Sequence, residues 1–225
     1  MKKRNKKILF IIVIIIVFLL ATFLILNLIE INKGLKQSEL EEYQDDANLM
    51  IIAHPDDEIL WGSKELIKEK YLVVCITCGK DKKREREIEE VLKTTGDDLI
   101  SLGYTDKFLG HKSKWLIEKR KIAKDIKKII NMKKWNKIVT HNKDGEYGHI
   151  HHKKIHDIVS NTNAANIQYF GKYYTKKQII HKTDLDDYKL DDQTLKIKQE
   201  ILKKYKSQVR VIKMFYHMVP YENMK

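Results

Sequence analysis

The segment "IIAHPDDEIL" (51–60) places His54, Asp56, Asp57 and Glu58 within five positions, directly after an apolar run. Carboxylates crowded like this repel one another, and a compensating cation resolves the repulsion. About ninety residues on, "THNKDGEYGHIHH" (140–152) supplies four histidines. Imidazoles set opposite carboxylates make the donor set of a catalytic zinc site, in which three protein ligands leave a fourth position open. A His/Asp pair from the first segment and one His from the second complete such a set. Of Asp56 and Asp57 only one need touch the metal. The other is then free to take a proton from water, whose pKa falls to roughly 7 on zinc.

For the two segments to meet, they must leave the same edge of one scaffold. Apolar runs of strand length occur at "NLMIIA" (48–53), "YLVVCIT" (71–77), "NKIVTH" (136–141) and "NIQYF" (166–170). "TDKFLG" (105–110) reads as a further short strand. Between them lie helical patterns: "SKELIKEK" (63–70) with Ser63 as N-cap, and 84–103 with Ile88, Val91, Leu92, Leu99 and Leu102 on one side. Others cover 114–134, 152–162 and 190–208. This alternation predicts an α/β class: a three-layer, mostly parallel, Rossmann-like sheet with helices on both faces. Ligands of such sheets gather at the carboxyl ends of the strands, and both polar segments directly follow a strand.

Residues 8–29 carry no charge and hold only Thr22 and Asn27 as polar members. At roughly 1.5 Å per residue a helix of that length crosses a hydrocarbon layer of roughly 30 Å. "MKKRNKK" precedes it, and no A-x-A-like cleavage pattern follows, so the segment reads as an uncleaved signal anchor. The expected organisation is a basic cytoplasmic tail (1–7), a transmembrane anchor (8–29), a stalk (30–47) and a catalytic domain (48–225). The basic cluster predicts a single-pass cell-membrane protein with that domain outside the cytoplasm. Of the net charge of +13, five positive charges precede the apolar run, leaving +8 for the rest. Such an excess leans towards anionic surfaces. No basic stretch interleaves with aromatics, so no nucleic acid is expected as a partner. Cys75 and Cys78 stand three apart in a strand pattern, too far for a disulfide, and no second pair completes a four-thiolate site. They read as buried thiols.

"AHPDDE" (53–58), followed far downstream by "HNKDGEYGHIHH" (141–152), resembles the LmbE/PIG-L family of zinc-dependent N-acetylglucosaminyl deacetylases. The first motif matches fully. The second is similar to the family pattern "GEYGHPDH", with Ile150 and His151 in place of Pro and Asp. "LWGS", "TCGK" and "YKSQ" fit bacterial members, and the likeness spans about residues 48 to 218. It implies zinc held by His54, Asp57 and His152, with Asp56 as general base. It implies His149 as the group that stabilises the oxyanion or protonates the leaving amine. Tyr147 matches a mobile tyrosine that contacts the tetrahedral intermediate, and Arg84 or Arg86, with Asp106, are candidates for sugar contacts. The implied substrate is an N-acetylated amino sugar, in a glycan or glycolipid, that loses acetate.

Each of these residues has a plainer reading. Acids at 56–58 also suit a helix N-terminus. Glu58 reads as a support, and His156 as a solvated helix residue rather than another ligand. Trp61, Trp115 and Trp135 are as consistent with core as with sugar platforms. A catalytically inactive carbohydrate-binding or scaffold protein that keeps the fold is the alternative function, but such a module needs neither Asp56 nor His149.

Overall fold

The computed structural model describes residues 2–32, 35, 40–43, 45–77, 81–108 and 110–224. They form two compact units, Met1–Lys36 and Gln37–Lys225. The first contains helix α1 (Lys2–Asn32), within which Lys6–Ile25 is long and apolar enough to cross a membrane. Its large apolar side chains from Ile8 to Ile25 are exposed all round the helix, as suits an apolar surrounding rather than a protein core. The one described polar side chain in that run is self-satisfied: the Thr22 hydroxyl donates back to the Phe18 and Leu19 carbonyls.

In the second unit the order is β1 (Asn48–Ile52), α2 (Asp57–Lys68), β2 (Tyr71–Cys75), α3 (Lys82–Thr95) and β3 (Asp98–Ser101). A hairpin of β4 (Lys107–Phe108) and β5 (His111–Lys112) leads to α4 (Lys119–Ile130) and β6 (Lys137–Thr140). The chain continues through α5 (Gly145–Gly148), α6 (Ile150–Ser160), β7 (Ile167–Tyr169), α7 (Lys176–His181), α8 (Asp192–Leu202) and α9 (Val209–Phe215). The main sheet has the order β3-β2-β1-β6-β7 and every pairing is parallel.

The central strands are apolar on both faces because helices cover both. Met50, Ile52, Val73, Cys75 and Val139 join one core with residues of α2, α3 and α8. The intervening Leu49, Ile51, Leu72, Val74 and Ile138 are buried against the other layer, where α6 meets β1, β6 and α4. Each fully buried aliphatic of this kind contributes about 1.5–3 kcal/mol. The α/β class with a helix-flanked parallel sheet is therefore as expected. Strand order reverses between β1 and β6, and in sheets of this kind ligands gather at the carboxyl ends beside such a switch point.

Several local expectations change. The helix expected over 84–103 ends at Thr95, because Gly96 turns left-handed (φ 85°) and its N–H returns to the Leu92 carbonyl. Residues 98–101 then pair with β2 as an edge strand. The helix expected over 114–134 is confined to 119–130, since Trp115 (φ 46°) turns the chain before it. α2 begins at Asp57, six residues before the expected cap; Ser63 lies buried inside it, bonded to Glu222. The chain past Leu202 passes through short turns into α9 rather than continuing one helix to 208. Cys75 is buried with its Sγ 4.0 Å from the Ala53 carbonyl, while Cys78 lies outside the described residues.

Candidate metal centre

β1 and β6 are sheet neighbours with Ile51 opposite Thr140, so the residues that follow each strand emerge side by side. The first link between them is a hydrogen bond from the Ala53 N–H to His141 Nε2, at 2.9 Å. After β1 the chain turns sharply at Asp56, a non-glycine residue in the left-handed region (φ 105°, ψ −24°). Strain of this kind persists only where neighbours hold it. Here Glu58 does so: its Oε2 accepts the Asp56 N–H at 3.1 Å, and its Oε1 accepts the buried Tyr205 hydroxyl. Burial pushes the Glu58 carboxyl up to about 8.

After β6, Gly145 (φ 65°) and Glu146 (φ 53°) turn the chain back towards the sheet. A Cβ on Gly145 would stand 2.9 Å from Lys153 Cγ, so the close approach of this turn to α6 adds to the need for glycine. The turn buries the Glu146 carboxylate between two rings. It accepts from His141 Nδ1 at 3.1 Å, from the Asn142 N–H at 3.0 Å and from His152 Nδ1 in a short contact. Although burial opposes it, the neighbouring His141 holds Glu146 down at about 2.

These partners fix which ring nitrogens keep a lone pair. His152 spends its Nδ1–H on Glu146, which leaves Nε2 as a donor of electrons to a cation. His151 Nε2 lies 2.6 Å from the Ser113 carbonyl and must donate there. Its Nδ1 then accepts from His54 Nε2, 3.0 Å away, which frees His54 Nδ1. Asp57 Oδ2 completes the group. His54 Nδ1 to Asp57 Oδ2 is 3.2 Å, His152 Nε2 to His54 Nδ1 is 3.2 Å, and His152 Nε2 to Asp57 Oδ2 is 3.3 Å.

Three lone pairs so close repel unless a cation lies between them. Their spacing matches the edge of a tetrahedron with bonds of about 2.0–2.1 Å, roughly 3.3 Å, as for zinc with N and O ligands. The donor set therefore fits a tetrahedral metal ion. Electrostatics agree: against the cost of burial, Asp57 and Glu146 push His152 up to about 10, a demand for positive charge that a metal ion would meet in place of a proton. Two other buried groupings have ligand atoms close together, His54/His149/His151 and His141/Glu146/His152. In each, atoms are already committed, His151 to Ser113 and His54, and His141 to Ala53 and Glu146. They read as the shell that orients the first group.

Around that triangle the other expected residues fall at unequal distances. Asp56 is buried with its Oδ2 unpartnered, and burial, then the Asp57 charge, raises its carboxyl well above the ordinary range. His149 caps α6 instead of lying in its first turn: its Nδ1 accepts the His151 N–H, so the proton sits on Nε2. Its ring centroid is 4.6 Å from those of both His54 and His152, and burial, then His54, lowers it to about 2, keeping it neutral. The Tyr147 ring packs beside His152 (5.5 Å) and against Phe215 (4.6 Å).

Arg84 reaches the site, donating to the Pro55 carbonyl at 2.9 Å and to Asp106 at 3.3 Å, with Asp56 at 3.9 Å. Arg86 is exposed and donates its Nε–H to the Lys82 carbonyl on its own helix. Asp106 stands 3.5 Å from His54 Nε2 and is held below the ordinary carboxylate range, despite burial, by His54 and Arg84. His156 faces away from the metal triangle, bonded to the His141 carbonyl. Trp115 is buried with its ring stacked 4.0 Å from His151. Sequence reasoning passed over His141, Glu146 and Ser113: Glu146 bonds His152 directly, whereas His141 reaches it through Glu146, and Ser113 reaches His54 through His151.

Residues 49–163, which contain both motif segments, match the family model described as PIG-L: GlcNAc-PI de-N-acetylase. The chain is also similar to Uncharacterized protein L374 of Acanthamoeba polyphaga mimivirus. The two are 28% identical over 192 residues, covering 78% of this chain and 77% of that protein.

Proposed function

Since the chain belongs to the PIG-L (GlcNAc-PI de-N-acetylase) family, we propose that it is a membrane-anchored, zinc-dependent hydrolase that removes acetate from an N-acetylglucosamine-type sugar. One observation carries this reading above others: three lone pairs converge at 3.2–3.3 Å, with an unpartnered carboxylate oxygen of Asp56 buried beside them. His54, Asp57 and His152 would hold the zinc ion, which supplies a Lewis acid for the acetyl carbonyl and for water.

The remaining steps belong to the chain. Asp56 Oδ2 takes a proton from the attacking water as the new C–O bond forms. The carbonyl oxygen gains negative charge, and the neutral His149 donates its Nε2–H towards it. Collapse breaks the C–N bond, and the proton held by Asp56 passes to the amine, giving acetate and a 2-amino sugar. Glu146, and His151 backed by the Ser113 carbonyl, keep the two ligand rings in the required tautomers. Arg84 sits within reach of Asp56 and Asp106, and Tyr147 lies along the same wall. They are the groups we assign to the sugar.

We assign residues 8–29 as a single-pass anchor, 30–47 as a stalk and 48–225 as the catalytic domain. The basic residues ahead of the anchor support an orientation with the catalytic domain outside the cytoplasm. Acetate release by the purified full-length protein from a panel of N-acetylated glycans and glycolipids, with metal analysis of the same sample, tests the reading. One zinc per chain and acetate release abolished by Asp56→Ala are expected. Acetate release that survives this substitution would sink the mechanism.

A further inference from the structure

Leu116 and Ile117 are 84% and 71% exposed, an adjacent aliphatic pair standing in solvent on the catalytic unit. They are not loose. Trp115, next to them, is buried, donates its indole N–H to the Thr105 carbonyl at 2.7 Å, and stacks on His151. Ser113, two residues earlier, accepts the His151 ring N–H. The pair is thus the tip of a loop whose root forms a wall of the metal centre.

The sequence around the tip is strongly basic. Residues 107–121 hold Lys107, Lys112, Lys114, Lys119, Arg120 and Lys121 against the single acid Glu118, whose carboxylate accepts the Thr105 N–H. Lys154 adds another ammonium at the base, bonded to the Lys114 carbonyl. Aliphatic side chains flanked in sequence by lysine and arginine are the composition of an interfacial anchor: the apolar tip enters the headgroup boundary while the cations meet anionic headgroups. The same chain carries α1, apolar enough to cross a bilayer, and only residues 33–39 separate it from Leu40, which is buried in the catalytic unit. A tether that short raises the effective concentration of the loop at a membrane, so even a weak contact is populated.

We propose that the Leu116–Ile117 loop docks the catalytic unit onto an anionic phospholipid bilayer. The kinetic arm of the test rests on the function proposed above; the docking does not. The test uses the full-length protein, inserted through α1 into nanodiscs of phosphatidylcholine alone or mixed with phosphatidylglycerol. Cys75 and Cys78 are replaced by alanine, and a fluorescent label is placed at Leu116→Cys or, as a control on α8, at Glu200→Cys. With phosphatidylglycerol present, the label at 116 is expected to be quenched from the lipid phase and shielded from an aqueous quencher, while the label at 200 stays aqueous. A label at 116 that remains aqueous in both discs overturns the docking. So does one shielded from both phases, which would mean a protein occupant.

The kinetic arm compares the double variant Leu116→Asp/Ile117→Asp with the wild type. The variant is expected to raise KM for a lipid-borne N-acetylglucosaminyl substrate at least about tenfold, while leaving a water-soluble one unchanged. Equal losses on both substrates overturn the proposal. Absence of acetate from both substrates, in wild type as in variant, overturns the proposed activity, and the label still decides the docking.

Discussion

Asp56 combines a left-handed backbone with a buried, unpartnered carboxylate oxygen, and the two properties can be separated by substitution. Asparagine tolerates that backbone region better than most residues and leaves its N–H on Glu58, but it cannot take a proton. Asp56→Asn is therefore expected to keep the fold and the metal while lowering kcat by about 10²–10⁴-fold. Acetate release read beside metal content checks both halves. Glu146 poses the converse case, since it lies outside the proposed ligand set and bonds His152 from behind. Glu146→Ala leaves the Nδ1–H groups of His141 and His152 without their shared acceptor, and zinc affinity should fall about 10–100-fold. Competition between apo-protein and a chromophoric chelator measures this without turnover. The acids at 56–58 were legible because their crowding is local. Glu146 was not, because its role exists only once the fold sets His141 and His152 on either side of it.

At the scale of elements, the segment 84–103 shows where a local pattern misleads. Leu99 and Leu102 continue the helical spacing of Val91 and Leu92, yet the chain leaves the helix at Gly96 and pairs Leu99 with Val73. The glycine was visible, but the free edge of β2 that captures residues 98–101 is a non-local fact. The same holds for Trp115, whose stacking on a histidine thirty-six positions away ends what reads as helix. By contrast the strands β1, β2 and β6 and the parallel order were readable, because a doubly covered strand is apolar throughout its length. Gly96 has open space where a Cβ would stand, so the cost of a side chain there is conformational alone. Gly96→Ala should destabilise the catalytic unit by about 1–2 kcal/mol, and Gly96→Asn by less, since asparagine visits that region more readily. Chemical unfolding of the two variants beside the wild type checks the order. Equal losses would point to a packing role instead.

Taken whole, the sheet gathers acids at both ends. The carboxyl ends of the strands carry Asp56, Asp57 and Asp106 with Arg84, while the amino ends gather Asp46, Asp97 and Asp98, with Lys70 bridging Asp46 (3.2 Å) and Asp98 (2.7 Å). Asp97 accepts the Tyr71 N–H at 2.7 Å and pairs with no cation among the described residues, and burial, with Asp46 and Asp98 adding repulsion, pushes it up to about 6 from 3.8. A carboxyl whose folded pKa is raised favours the folded state when protonated. Its contribution is fully present below about pH 3.8 and is lost as pH rises through about 6. Neutral buried histidines act with the opposite sign, since His149 (about 2) and His151 (about 4) resist the proton they would bind when unfolded. The total slope therefore mixes the two, and a difference between proteins isolates one. Asp97→Asn keeps an acceptor for the Tyr71 N–H and removes the titration. Its stability relative to wild type should be lowest near pH 4 and rise by on the order of 1–2 kcal/mol by pH 7. Urea unfolding of both full-length proteins in one detergent, at fixed zinc, reads this directly. A pH-independent difference would show that Asp97 does not titrate in this window.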